Sequence, residues 1–242
     1  MTETSTIPAA PTAVNRHRTK LQFAYDTLRG AIIRCELMPG ERLIIDDLAR
    51  RFEISSIPVR EALRLLQSDG LVVSVAHVGA TVTPISRSSI DEVFAVLEGL
   101  ELVATRAAVD RATAADMHML AGIVEEMDLA LAAGLPEGWA DLNTHFHLTI
   151  CKLAGMPMLQ EMMQRAFDHW DRLRRHYFEG VLARRAALAQ AEHHALLLHL
   201  NAKDYSRVEQ TIREHNQGAR ASYTTYLEAD AGPRPDPAGG PA

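Results

Sequence analysis

The stretch from Leu48 to Ile85, LARRFEISSIPVREALRLLQSDGLVVSVAHVGATVTPI, decides the fold. Within it, Ile57–Ser68 carries Val59, Ala62, Leu63 and Leu66 at helical spacing, which gives one apolar face. Pro58 fits the first turn of that helix, where its missing N–H costs nothing, and Asp69-Gly70 stops it. Upstream, Asp46–Phe52 reads as a short helix with Leu48, Ala49 and Phe52 inward, and Glu53-Ile54-Ser55-Ser56 as the turn between the two. Downstream, Leu71–Val75 and Thr81–Ile85 are β-prone runs around His77-Val78-Gly79-Ala80, the pattern of a small hairpin. Further out, Leu21, Tyr25, Leu28 and Ile32 mark a first helix over Leu21–Cys35, which Met38-Pro39-Gly40 breaks. Three helices, the last two joined by a tight turn, followed by a hairpin make a winged helix-turn-helix.

In that fold the second helix of the turn motif enters the major groove of DNA and presents its N-terminal residues to base edges. Here those residues are Ser55, Ser56, Ile57 and Arg60, with Arg64 one turn on. The Arg60 fork can pair bidentately with guanine, and Ser55 and Ser56 can donate to phosphate at a helix start. His77 and Gly79, at the hairpin tip, can approach the minor groove or the backbone. The alternative is that Arg60 and Glu61 form an ordinary surface ion pair.

The charge of the whole chain argues the other way at first sight. With 25 Lys+Arg and 31 Asp+Glu, the 242 residues carry −6. Residues 1–88, however, hold 11 basic and 9 acidic groups, a net of +2, and residues 89–242 hold 14 and 22, a net of −8. Histidine divides likewise: two of eleven precede the split and nine follow it. Two domains with different work are therefore expected. Boundaries fall at 1–19 for a disordered tail, 20–86 for the winged helix, 89–228 for the second domain and 229–242 for a second disordered tail. The tails are Pro/Gly-rich and cannot offset their ordering entropy. Two cysteines, no secretory leader in Met1–Val14 and no apolar run of about 20 residues point to a reducing cytoplasm and no membrane span.

The second domain repeats apolar residues at helical spacing from Ile90 to Val109, then over 113–133, 137–154, 158–179, 184–202 and 204–227. Short connections between them imply an antiparallel bundle of six or seven helices, so the chain is mostly α. Asn143 and His147 share one helix face, His193 lies with Leu196, Leu197 and Leu200, and His215 with Val208 and Ile212. Three imidazoles and one side-chain oxygen can form the first shell of zinc, with nickel, manganese or iron as other candidates. Scattered core histidines making hydrogen bonds are the alternative. His118, His145, His169, His176, His194 and His199 read as surface or rim.

Ala24–Ser86 resembles the winged-helix domain of the GntR family of bacterial transcription regulators. The resemblance rests on Leu37-Met38-Pro39-Gly40-Glu41-Arg42-Leu43 and on Pro58-Val59-Arg60-Glu61-Ala62-Leu63, with Gly79-Ala80-Thr81-Val82 at its end. Residues 90–227 resemble the FCD effector domain of the FadR-like branch, through Asn143-x2-Phe146-His147, Glu192-His193, Asp204 and His215. That resemblance implies metal ligands at Asn143, His147, His193 and His215 and a small carboxylate effector on the metal's open positions. The family often has arginine near Leu97, which this chain lacks, so effector binding is assigned to Arg172, Arg174 or Arg175. Asn143 in place of aspartate leaves the three-imidazole site more positive by one charge, which favours an anion and weakens the metal.

The function implied is a dimeric, ligand-responsive repressor of a pseudo-palindromic double-stranded operator, with Pro84–Ser88 as hinge. The competing class is a metal-dependent hydrolase-like enzyme using the three-histidine site. Against it, no carboxylate stands in an obvious general-base position beside His147 or His193, and neither a phosphate loop nor a nucleophile elbow occurs.

Overall fold

A computed structural model describes residues 19–177 and 181–230, and these divide into two compact units. The first comprises the described residues up to Ser86 together with Phe167–His176, and the second holds the others. Phe167–His176, which fall within the expected 89–228 domain, cluster with the first unit.

In the first unit, α1 (Lys20–Ile33), α2 (Ile45–Arg51) and α3 (Ser56–Ser68) precede a hairpin of β1 (Val72–Val75) and β2 (Gly79–Val82). Thr19 caps α1 by accepting from the Gln22 N–H at 3.1 Å, and the last helix runs to Asp230, so Thr19 and residues 229–230, expected in the tails, belong to helices or their caps. The remaining tail residues, 1–18 and 231–242, lie outside the described residues. Ala24, Leu28 and Ile32 of α1 close on Leu48, Val59, Leu63 and Leu66, all buried, which is the face the spacing marks.

The hairpin register pairs Val72 with Val82 and Val75 with Gly79. The second strand therefore starts two residues earlier than Thr81. The shift follows from the turn: His77 adopts φ 62 and Gly79 φ 98, and the Val78 N–H reaches Val75 O at 3.1 Å. The Pro39-Gly40 turn has a defined role as well. Gly40 takes φ 82, the Glu41 carboxylate accepts the Met38 N–H at 2.8 Å, and the chain then bridges Arg42 to Thr81 on the outer side of β2.

The last part of this unit, Phe167–His176, is anchored by polar bonds. Asp168 pairs with Arg29, Arg172 donates to the Thr83 carbonyl, and His169 Nε2 lies 2.9 Å from Asp69 O. Gly70 takes φ 73, a conformation that favours glycine, and the imidazole of His169 lies beside it.

The second unit is an antiparallel bundle built on α4 (Arg87–Arg111), α5 (Ala114–Ala132), α6 (Pro136–Leu153), the start of α7 (Pro157–His176), α8 (Ala183–Asn201) and α9 (Tyr205–Asp230). Thr113 and Asp116 form a reciprocal capping box that starts α5, and Pro136 opens α6. Helix α4 packs on α9 and α6, α5 on α6 and α8, and α8 on α9. Trp139, Phe146, Ile90, Leu120, Met127 and Ile150 fill the middle. Three facing helices, α6, α8 and α9, thereby bring residues 147, 193 and 215 to one level of the bundle.

Candidate metal centre and nucleic-acid interface

On the first unit, Ser55 stands just before α3 and its side chain makes no capping bond, so its hydroxyl is available. Ile57 is 71% exposed, high for an aliphatic side chain. Arg60 is exposed and has no ion pair or hydrogen bond among the described residues, whereas Glu61 pairs with Arg64 at 2.9 Å. The Arg60–Glu61 ion pair is therefore absent. Ser56 is partly exposed, and His77 and Gly79 are exposed at the hairpin tip.

On the second unit, His147, His193 and His215 converge, with ring centroids 4.9–5.2 Å apart. One nitrogen from each lies within 4.8 Å of the other two. His147 Nε2 and His193 Nε2 approach to 3.2 Å. His193 is only 1% exposed.

Each ring is oriented from behind. His147 Nδ1 lies 2.7 Å from Glu101 Oε1, and His215 Nδ1 lies 2.7 Å from Glu192 Oε2. His193 Nδ1 faces Gln190 Oε1 at 3.4 Å. The Gln190 amide is itself fixed: its NH2 donates to Val124 O at 3.0 Å and Asp128 Oδ1 at 2.8 Å, and its oxygen accepts Trp139 Nε1–H at 2.9 Å. An acceptor behind each ring puts the proton on Nδ1 and leaves the Nε2 lone pair facing the centre. Two lone pairs facing each other at 3.2 Å repel unless a cation lies between them. The donor set therefore fits a divalent ion, with a hydrogen-bond partner behind every ligand.

The electrostatics agree. Burial pushes His193 well below the ordinary imidazole range, helped by the charges of His215, His147 and Arg185. His215 is lowered by burial as well, against the pull of Glu192. Burial raises Glu101, but His147, His215 and the Asn216 amide outweigh it and hold the carboxyl below its usual value. Glu192 is held low in the same way by His215 and Arg185.

Among the residues chosen from sequence, His147, His193 and His215 come together, and Asn143 is buried one turn before His147 on α6. Arg172, Arg174 and Arg175, expected to hold the effector, belong to the other unit. They lie in the Phe167–His176 segment of the first unit, where Arg172 donates to Thr83 O and Arg174 Nε to Asp171 Oδ1 at 2.6 Å. Contrary to the expectation from sequence, a carboxylate, that of Glu101, does stand beside His147. It lies on the Nδ1 side, away from the open centre, so it orients the ring and cannot take a proton from a molecule held there. Its position was readable: 94, 97, 101, 104 and 108 are one face of α4, and Glu101 is the only charge on it.

The FCD domain family matches residues 92–218, and the bacterial regulatory proteins of the gntR family match residues 20–82. The HTH-type transcriptional regulator McbR of Escherichia coli is 32% identical over 169 residues, 69% of this chain and 76% of that protein. BphR of Paraburkholderia xenovorans, named as an uncharacterized HTH-type transcriptional regulator, is 28% identical over 214 residues, 86% of each chain. The solved structure of E. coli McbR/YncC superposes with a TM-score of 0.72 at 27% identity, over 86% of this chain and 99% of that one.

Proposed function

We propose that this chain, which belongs to the GntR family of bacterial transcription regulators and carries an FCD domain, works as a metal-containing, effector-released repressor dimer. It is a transcription regulator, not an enzyme. The observation that carries the finer reading is one chain holding both an exposed, unpaired Arg60 on a recognition helix and three inward histidines, each backed by its own acceptor.

Asn143, His147, His193 and His215 hold the ion, zinc in the first instance, and a bound ion supplies a positive centre for a small organic acid. The residues behind the rings change the charge count, however. Glu101 and Glu192 each bring a carboxylate within 2.7 Å of a ligand ring, so the extra positive charge left by Asn143 is offset nearby. Ser55, Ser56, Ile57, Arg60 and Arg64 read the major groove, and His77 and Gly79 contact the flanking backbone.

Two recognition helices on one operator require a dimer. On α4, Val96, Gly99, Leu100 and Val103 form a stripe at helical spacing, and Val96 and Val103 are 44% and 50% exposed. A second copy meeting this stripe buries it isologously. Work on chromosomal DNA places the protein in the cytoplasm.

Selection of binding sites from a random duplex pool by the full chain tests the reading. It expects an enriched pseudo-palindrome with half-sites about one helical turn apart. A sedimentation measurement expects a dimer that Val103→Glu dissociates. Enrichment of a lone half-site, with a monomeric wild type, overturns the dimer reading.

A further inference from the structure

We propose that Arg185 is the anion-holding residue of a small-molecule site between α8 and α9, separate from the histidine centre. The inference rests on the reading that the bundle binds a small organic acid, and it adds a second anion-holding group besides the ion. Arg185 is 8% exposed. Its Nη2 donates to both carboxylate oxygens of Glu192, at 2.8 and 2.7 Å. Its Nε and Nη1 are buried and have no acceptor among the described residues. A buried guanidinium with N–H groups left over is costly, and an oxyanion that accepts from either of them offsets that cost.

The backbone has made room for this side chain. A Cβ on Gly218 would stand 2.8 Å from Arg185 Nη2, so the guanidinium rests on bare α9 backbone. Beside it lies a cavity of about 460 Å³, lined by Arg184, Leu188, Ala221, Ser222, Thr225 and Tyr226 along with Arg185. That volume is in the range of small-molecule sites, about 300–1,000 Å³, and is too large for a bare ion alone. The walls offer two cations, three hydroxyls and short apolar side chains. They fit a molecule with one carboxylate or phosphate on a small apolar body.

The location also gives the ligand a route to the histidines. Arg185 holds Glu192, and Glu192 holds His215 Nδ1. An anion that accepts from Nε or Nη1 shares the guanidinium with Glu192 and so alters the acceptor behind one ring.

Calorimetry on the full chain loaded with cobalt(II) tests this, with butyrate, monobutyl phosphate and neutral butyramide as probes. At least one anion binds the wild type and butyramide does not; whichever anion binds more tightly identifies the headgroup. Arg185→Gln weakens that binding by on the order of tenfold or more, the loss of a charge-assisted pair. Ser222→Phe, which fills the cavity and keeps Arg185, weakens it as well. Glu192→Gln, which leaves the guanidinium less neutralised, strengthens it. Equal affinity in wild type, Arg185→Gln and Ser222→Phe, or no heat from either anion, overturns the proposal. Failure to take up cobalt would instead contradict the histidine centre alone, since the anion titrations are still read on the same chain.

Discussion

Replacing Glu101 by glutamine isolates one charge and one hydrogen bond behind the histidine cluster. The carboxylate is 4% exposed and accepts from two donors, His147 Nδ1 at 2.7 Å and Asn216 Nδ2 at 2.6 Å. Glutamine keeps the shape but has a single acceptor oxygen, so its NH2 must face one of those donors. That leaves a buried donor unsatisfied, at about 1–3 kcal/mol of folding stability. It also removes the carboxylate that orients the His147 ring. Losing a carboxylate behind a ligating imidazole lowers metal affinity by about 10–100-fold, or roughly 1.4–2.8 kcal/mol. Zinc affinity measured by competition with a chromophoric chelator at pH 7 reads the second effect, and urea unfolding of the metal-free chain reads the first. Glu98→Gln is the control on the same helix. Glu98 pairs with Arg213 at 2.9 Å near the surface, and its loss leaves zinc affinity unchanged. If Glu101→Gln binds zinc within about twofold of wild type while folded, the carboxylate does not support the ligand and the account of the ring orientation fails.

Three further outcomes follow from the same geometry. Asn143→Asp supplies a charged oxygen one turn before His147, so zinc affinity rises in the same chelator competition; no rise removes Asn143 from the ligand set. Arg60→Ala, at an exposed and unpaired residue, lowers operator affinity by about 1–3 kcal/mol and relaxes preference at one base pair, and unchanged binding in a gel shift means that α3 does not read bases. The Tyr25 hydroxyl, 2.6 Å from Asp69 Oδ2, is pushed up to about 12 by burial and by that bond. Because the folded value is raised, the stability it gives is full below the ordinary tyrosine value of about 10 and is lost as pH climbs through about 12. Tyr25→Phe costs about 1 kcal/mol at pH 7 and flattens the alkaline fall in thermal stability between those limits, and an equally steep fall in the variant would exclude this residue as the cause.

The local signals carried most of the fold. Apolar spacing placed all three helices of the winged unit, and Pro39-Gly40 and Asp69-Gly70 marked turns whose glycines adopt φ 82 and φ 73. The hairpin slipped by two residues because His77, a residue with a Cβ, takes the left-handed turn conformation, which sequence preference does not favour. In the bundle, helix faces were enough to turn His193 and His215 inward. Periodicity does not say which compact unit half a helix joins. Arg172, Arg174 and Arg175 lie in the Phe167–His176 segment, which clusters with the first unit, and nothing in their spacing marks that. The stretch around Arg185 gives no sign of its burial, because its partners are remote: Glu192 takes the N–H groups of Nη2, and the guanidinium lies against Gly218, more than 30 positions away.

Release of DNA by a small acid is the most direct test of a repressor that senses through its bundle. Fluorescence anisotropy of the selected operator, bound by the zinc-loaded full chain, is followed during titration with each small organic acid that raises the chain's melting temperature. The account predicts that at least one such acid frees the operator, and that the operator weakens binding of that acid by the same factor. If every acid that stabilises the chain leaves the operator complex intact, the bundle does not control DNA binding and the account is wrong.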